Sequence, residues 1–283
     1  MKVLLTGANG QLGRCFQDRL PSGWQILATD SAELNITDLA QITLAITAFK
    51  PDAIVNAAAY TAVDKAESEA ELAECINATG PANLANVATQ HAIRFVHVST
   101  DYVFDGNAST PYTEESPTNP LSVYGSTKLA GELAVSTTAP DAIIVRTAWV
   151  FSEYGNNFVK TMLRLGKERD ALSIVDDQRG CPTYAGDIAQ AIIDLLQQQA
   201  AGGIYHYTGD KEVSWFEFAQ AIFTVAVQKA ILTKAPVLTP ITTAQYPTPA
   251  HRPAYSTLAG DKIKALGITL SDWQSALSTT IGD

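Results

Sequence analysis

Cysteine is scarce. Cys15, Cys75 and Cys181 are far apart and odd in number, which excludes a disulfide framework and matches no zinc spacing. The four histidines, His91, His97, His206 and His251, share no metal-ligand spacing either, so each is read as structural and no metal is expected. Positive charge is also short: 19 Lys and Arg against 29 Asp and Glu leave a formal net charge of −10. That balance argues against nucleic acid or an anionic membrane as partner. It leaves a phosphate-bearing ligand open, because single arginines and helix termini can hold one. No apolar run reaches the ~18 residues of a membrane span. The N-terminus runs into a strand with no signal-peptide pattern, so a cytoplasmic protein is expected. Repeats and low-complexity segments are missing too. What remains is an ordinary globular composition, 46% hydrophobic over 283 residues, enough for one α/β domain with a smaller lobe.

The chain is organised around KVLLTGANGQLGRCFQDRL, residues 2–20. Val3 to Leu5 reads as a buried strand. Gly7, Gly10 and Gly13 follow at a three-residue repeat, and Leu12, Cys15, Phe16 and Leu20 recur at helical spacing. Strand, tight turn and helix in this order suit a dinucleotide. Gly7 turns the chain, Gly10 lets a pyrophosphate approach the backbone, and Gly13 lets the helix pack close. The helix N-terminus then offers free N–H groups to the phosphates. Trp24 to Thr29 reads as a second strand ending at Asp30, 17 residues after Gly13. An acid there accepts bonds from the adenine ribose hydroxyls. The alternatives are a plain βα turn and a turn-capping Asp30.

Further on, Ala53–Ala57, Ile93–Val98 and Ala142–Val145 read as strands, and Ala66–Ile76, Pro81–His91 and Ser122–Ser136 as helices. This alternation predicts an α/β fold with a doubly wound parallel sheet, of Rossmann type. After Arg146 the pattern changes. Helices are expected over Asn157–Glu168, Asp187–Gln199 and Trp215–Gln228, with short strands at Leu172–Val175 and Ile204–His206. Residues 235–253 hold five prolines and are expected to be an ordered loop. The predicted division is a dinucleotide-binding domain, 1–153 plus about 184–202, and a substrate lobe, about 154–183 plus 203–283.

Tyr124 and Lys128 lie four apart on a predicted helix and so share a face. An ammonium beside a phenol favours the phenolate and lowers its pKa, readying it to exchange a proton with a carbonyl or hydroxyl. Ser99, Thr100 and Asp101 end the 93–98 strand, where a nicotinamide would lie, and Thr100 could set a hydroxyl beside the phenol. The alternatives are a solvated helix face and a capping threonine.

With these motifs in view, the chain resembles the extended short-chain dehydrogenase/reductase family, on the branch that reduces dTDP-4-keto-6-deoxy sugars. The likeness rests on TGANGQLG (6–13), VNAAAYTAVDKAE (55–67), STDYVFDG (99–106), PLSVYGSTKLAGE (120–132), RTAWVF (146–151), GNNFVKTML (155–163), DQRGCPT (177–183) and YPTPAHRPAYSTL (246–258). It implies Thr100, Tyr124 and Lys128 as the catalytic set. It places Gly10, Gln11, Leu12, Asp30, Asn35, Ile36, Ala59, Tyr60 and Thr61 on the cofactor, with Lys128 on its ribose. It puts Thr100, Asp101 and Trp149 on the nucleotide-sugar, and Asn157, Arg179 and Arg252 near it. The implied reaction is NADPH- or NADH-dependent reduction at C4 of dTDP-4-dehydro-L-rhamnose to dTDP-L-rhamnose. Rival readings are another epimerase or dehydratase of the same fold, or a non-catalytic regulatory subunit. The dehydratases carry an Asp-Glu pair after the Thr, and here Asp101 is followed by Tyr102. Some relatives look metal-bridged through carboxylates where this chain has Cys15 and Gly186. That puts magnesium, and the dimer it supports, in question; a monomer or weak homodimer is expected. Asp30 is read as lying beside Arg14, which leaves the cofactor's 2′ position contested, so both cofactor forms are expected to serve.

Overall fold

Short apolar runs between turn residues become the inner strands of one sheet. The computed structural model describes residues 1–282. Its first half alternates β1 (Lys2–Thr6), α1 (Gln11–Asp18), β2 (Gln25–Thr29), α2 (Leu39–Phe49), β3 (Ala53–Asn56), α3 (Val63–Ala66), α4 (Ala70–Glu74), α5 (Gly80–Gln90), β4 (Arg94–Thr100), α6 (Val123–Thr138) and β5 (Ile143–Thr147). Then come β6 (Val150–Phe151), α7 (Phe158–Glu168), β7 (Ala171–Val175), β8 (Arg179–Gly180), β9 (Thr183–Tyr184), α8 (Ala185–Gln197) and β10 (Gly203–His206). The chain finishes with β11 (Val213–Ser214), α9 (Trp215–Gln228), β12 (Val237–Ile241), α10 (Asp261–Lys264) and α11 (Trp273–Thr280).

Six strands pair in parallel in the order β10-β5-β4-β3-β1-β2. Both faces are covered, as a parallel sheet requires. Val3 and Leu5 point to the layer of α1 and α8, with Phe16, Ile188, Ile192 and Leu195. Leu4 points the other way, to Ile42, Ile46, Leu84 and Val135 of α2, α5 and α6. The order reverses between β1 and β3, and ligands bind beyond the carboxyl ends of the strands at such a point. A second core, with Phe151, Met162, Leu172, Phe218, Phe223, Trp273 and Leu277, fills the lobe beyond β5. Among the described residues no helix is long and apolar enough to cross a membrane.

Four features differ from expectation. Gly203–His206 pairs with β5 in register Gly203↔Ile143 to His206↔Arg146, so this strand belongs to the main sheet and not to the lobe. The two helices expected over 66–91 are joined: α4 runs through a π turn at Cys75–Thr79 straight into α5. Pro81 has no N–H to give the carbonyl of Asn77, and a widened turn absorbs the missing bond. The proline-rich segment is not all loop, since Val237–Ile241 pairs in parallel with Ala171–Val175 at the lobe's edge. Edge strands tolerate proline, because one side of the strand needs no partner. Helix α2 has no counterpart in the sequence reading. Its apolar residues surround the helix, so the sequence shows little helical periodicity there.

Candidate active site

The glycine turn is built as the spacing implies. Gly7 is left-handed, φ +72°, and a Cβ there would lie 2.6 Å from the Ala58 nitrogen. A Cβ on Gly13 would fall on the Gly7 carbonyl and the Ala8 backbone, so α1 can pack this closely only without one. Gly10 is the N-cap of α1, with no side-chain capping bond and no acid in the first turn. The first N–H groups of the helix are thus free to bind an anion. Asp30 follows β2 at the same edge, taking the Ala32 N–H at 2.8 Å and the Asn9 amide. This cradle fits a dinucleotide pyrophosphate and an adenine ribose.

Other expected cofactor positions line the carboxyl edge of the sheet. Gln11 accepts bonds from Ser152 at 3.1 Å and Asn157 at 2.8 Å, tying α1 to the loop after β6. Leu12 is in the core under the turn. Asn35 and Ile36 lie in the loop after β2; Ile36 is buried in the core and its carbonyl takes the Asn83 amide at 3.3 Å. Ala59, Tyr60 and Thr61 follow β3. Asn77, in the π turn, holds this loop: its carbonyl takes the Tyr60 N–H at 2.8 Å, and its amide donates to the Tyr60 carbonyl at 3.2 Å and to Thr127 at 3.1 Å. Sequence reasoning missed Asn77. The signal was Pro81 four residues on, inside a helical pattern.

Thr100 ends β4, and Tyr124 and Lys128 lie one turn apart at the start of α6, which Ser122 caps through the Gly125 N–H at 3.1 Å. The phenol ring packs edge-on against Tyr102 at 5.4 Å. Lys128 is buried and donates to the Val98 carbonyl at 2.6 Å. Burial pulls its ammonium down to about 8, with Glu132 opposing. The Tyr124 phenol does not behave as expected. Burial pushes it up to about 12, Thr100 acts to lower it and Asp101 to raise it. The expected lowering by Lys128 does not appear, and desolvation of the phenol sets the direction. A phenol so raised stays protonated at neutral pH, as a proton donor must.

Asp101 is buried and accepts the Thr100 hydroxyl at 2.9 Å through one oxygen; among the described residues its other oxygen has no hydrogen-bond partner. Burial raises this carboxyl to about 6, against Ser256 and Thr100. Trp149 stands two residues beyond β5. The remaining expected substrate residues have other partners. Asn157 caps α7 through the Lys160 N–H and donates to Gln11 and the Ser152 carbonyl, so its side chain is fully used. Arg179 pairs with Glu212 at 2.6 Å and Glu217 at 3.4 Å. Arg252 forms a two-pronged pair with Asp64 of α3, 2.9 and 3.0 Å, strapping the 246–258 segment across to the main domain. Asp64 was missed; it lies inside VDKAE, but no spacing links it to Arg252.

The residues near the suggested metal position do not suit a hard divalent cation, which needs several oxygen ligands. Among the described residues no three His, Cys, Asp or Glu cluster to hold an ion. Burial pushes the Cys15 thiol up to about 12, and the Arg19 guanidinium lies against Gly186 where a side chain would project. EDTA is therefore expected to leave activity and sedimentation unchanged. Reversible loss of a dimer, restored by magnesium, would overturn this.

Comparison with known proteins agrees with this geometry. The RmlD substrate binding domain family matches residues 1–283. A dTDP-4-dehydrorhamnose reductase of Aggregatibacter actinomycetemcomitans is 50% identical, over 98% of this chain and 97% of its own. The crystal structure of a dTDP-4-dehydrorhamnose reductase from Clostridium acetobutylicum superposes with TM-score 0.94 at 41% identity, covering 99% of this chain and 98% of its own. One from Bacillus anthracis, in complex with NADP, gives TM-score 0.93 at 38% identity with the same coverage. Whole-length identity at this level, with a family match over residues 1–283, makes the chain a member of the dTDP-4-dehydrorhamnose reductase family.

Proposed function

We propose that this chain reduces the C4 carbonyl of dTDP-4-dehydro-L-rhamnose to the alcohol of dTDP-L-rhamnose, with NADPH or NADH. The observation that carries this is the placement of Thr100 at the carboxyl end of β4 with Tyr124 and Lys128 at the start of α6, on the same sheet edge as the bare N-terminus of α1, with β3 between β4 and β1. Bound nicotinamide supplies the hydride. Tyr124 gives its proton to the oxygen that becomes the C4 hydroxyl. The Thr100 hydroxyl turns its one proton from Asp101 to the same oxygen and donates a hydrogen bond there. Lys128 turns from the Val98 carbonyl to the cofactor ribose and steadies the phenolate that forms. Fixing proton donor and carbonyl in one geometry supplies much of the rate. A dehydratase would need a second acid after Thr100 and Asp101, and half-buried Tyr102 fills that place. Residues 154–183 and those after β10 form the lobe that receives the nucleotide-sugar, and the chain works as a monomer or weak homodimer.

Loss of NADPH absorbance that depends on a dTDP-4-keto-6-deoxy sugar tests the proposal. Oxidation equally fast without the sugar, or none with it, would overturn it. Asp30 suits the 2′-hydroxyl of NADH and repels a 2′-phosphate, which exposed Arg14 offsets. Both cofactors are expected to work within about tenfold in kcat/KM, ~1.4 kcal/mol, and Asp30→Ala should move the ratio toward NADPH. A preference beyond a hundredfold either way would refute the balance.

A further inference from the structure

The indoles of Trp149 and Trp215 lie face to face, centroids 3.5 Å apart and planes 6° from parallel. Trp149 has a left-handed backbone, φ 48°, a conformation that a bulky side chain holds only when its surroundings impose it. Its carbonyl takes the Thr183 N–H at 3.1 Å. Gly180 lies along the ring edge; a Cβ there would be 2.7 Å from Cε2 and 2.8 Å from Nε1. Backbone and edge are thus fixed by the main chain, and the ring face is fixed by Trp215.

Trp215 is itself held on three sides. It opens α9, whose start is set by a reciprocal capping box between Ser214 and Glu217. Its Nε1 donates to the Gln178 carbonyl oxygen at 3.1 Å, and the Gln178 amide donates to Thr243 at 3.0 Å. Phe158 packs against it at 4.7 Å. Both tryptophans are half-buried, and Trp215 occupies one face of Trp149, so the accessible surface of Trp149 lies away from that stack.

We propose that Trp215 is a positioning residue for the reductase reaction, holding Trp149 so that its uncovered face forms the apolar wall against which the deoxy-sugar ring is seated. The proposal rests on the placement of Trp149 at the sugar, and the test separates the two. Stacked indoles couple their transitions and give a paired positive and negative band in circular dichroism, which reports the stack independently of turnover.

The variants W215L, W215F, Q178L and W149A are to be compared in the full chain with NADPH and the nucleotide-sugar. W215L should abolish the paired band and raise KM for the nucleotide-sugar about tenfold, ~1.4 kcal/mol. Its kcat and its KM for NADPH should stay within a few-fold. W215F should also lose the band but keep an aromatic plate and recover most of the KM. Q178L releases the indole N–H without emptying the pocket, so it should weaken the band and raise the same KM by less; it carries the test if W215L does not fold. An unchanged sugar KM in folded W215L or Q178L with the band lost or weakened, or equal losses toward sugar and NADPH, overturns the role of Trp215. If W149A, which removes the ring altogether, leaves the sugar KM unchanged, the placement of Trp149 fails instead.

Discussion

Tyr124→Phe is expected to lower kcat by ~10²–10⁴-fold, the usual contribution of a general acid, or ~3–5 kcal/mol of barrier. The ring and its edge-on contact with Tyr102 at 5.4 Å are kept, so folding should change little. NADPH affinity should stay within a few-fold, since the glycine turn and Asp30 are untouched. Thr100→Val should cost less, for it removes a hydrogen bond to the carbonyl and leaves the proton donor. Lys128→Met should weaken both cofactor binding and turnover. The pH profile distinguishes the last case. Burial lowers Lys128 to about 8, so its charge is complete below that value and lost as pH rises through it. Activity should fall on that alkaline side, and the fall should vanish in Lys128→Met. If Tyr124→Phe kept more than about a tenth of kcat with chemistry rate-limiting, the phenol would not be the acid.

Glu132→Ala is expected to destabilise the fold by ~3–5 kcal/mol, because it strands a buried charge. Glu132 and Arg146 have side chains only 3% exposed, joined at 2.7 Å with further bonds of 3.0 and 3.1 Å from Nε. Behind them His206 stands 3.4 Å from the guanidinium and is held neutral, lowered to about 3 by burial and the Arg146 charge. It cannot compensate for the lost carboxylate. Thermal unfolding should drop by roughly 10 °C. Replacing both partners, Glu132→Leu with Arg146→Met, should recover much of the loss, since no charge is then left unpaired. A loss below ~1 kcal/mol for Glu132→Ala alone would show that water reaches Arg146. Glu132 lies one turn beyond Lys128 and supports its charge, so surviving Glu132→Ala enzyme should show its alkaline limb at lower pH.

Much of this site was legible because its signals are local. A glycine repeat between an apolar strand and a helix declares a dinucleotide turn within 20 residues. Tyr124 and Lys128 share a helix face by spacing alone. What the sequence hid depends on partners far along the chain. The direction of the Tyr124 shift is decided by how much surrounds the phenol, and no spacing encodes that. Arg179 and Arg252 suit a diphosphate by chemistry, yet Glu212, Glu217 and Asp64 meet them only in the folded chain. Asn157 matched a substrate motif, but a residue at a helix start is also the natural cap for it. Gly203–His206 is too short a run to reveal which sheet it joins, and β5 decides that. Trp215 reads as an ordinary helix residue until Trp149 is seen against it.

The late arrival of α8 and β10 bears on how the protein is made. A nascent chain leaves the ribosome N-terminus first, so β1 to β5 emerge before either element exists. Until residue 206 is synthesised, β5 presents an unpaired edge, and the sheet face over Phe16 lacks Ile188, Ile192 and Leu195. Open edges and bare apolar faces are where partly made chains associate wrongly. The nucleotide-binding half is therefore not a portable module, because it closes only after the chain has gone out to begin the lobe and come back.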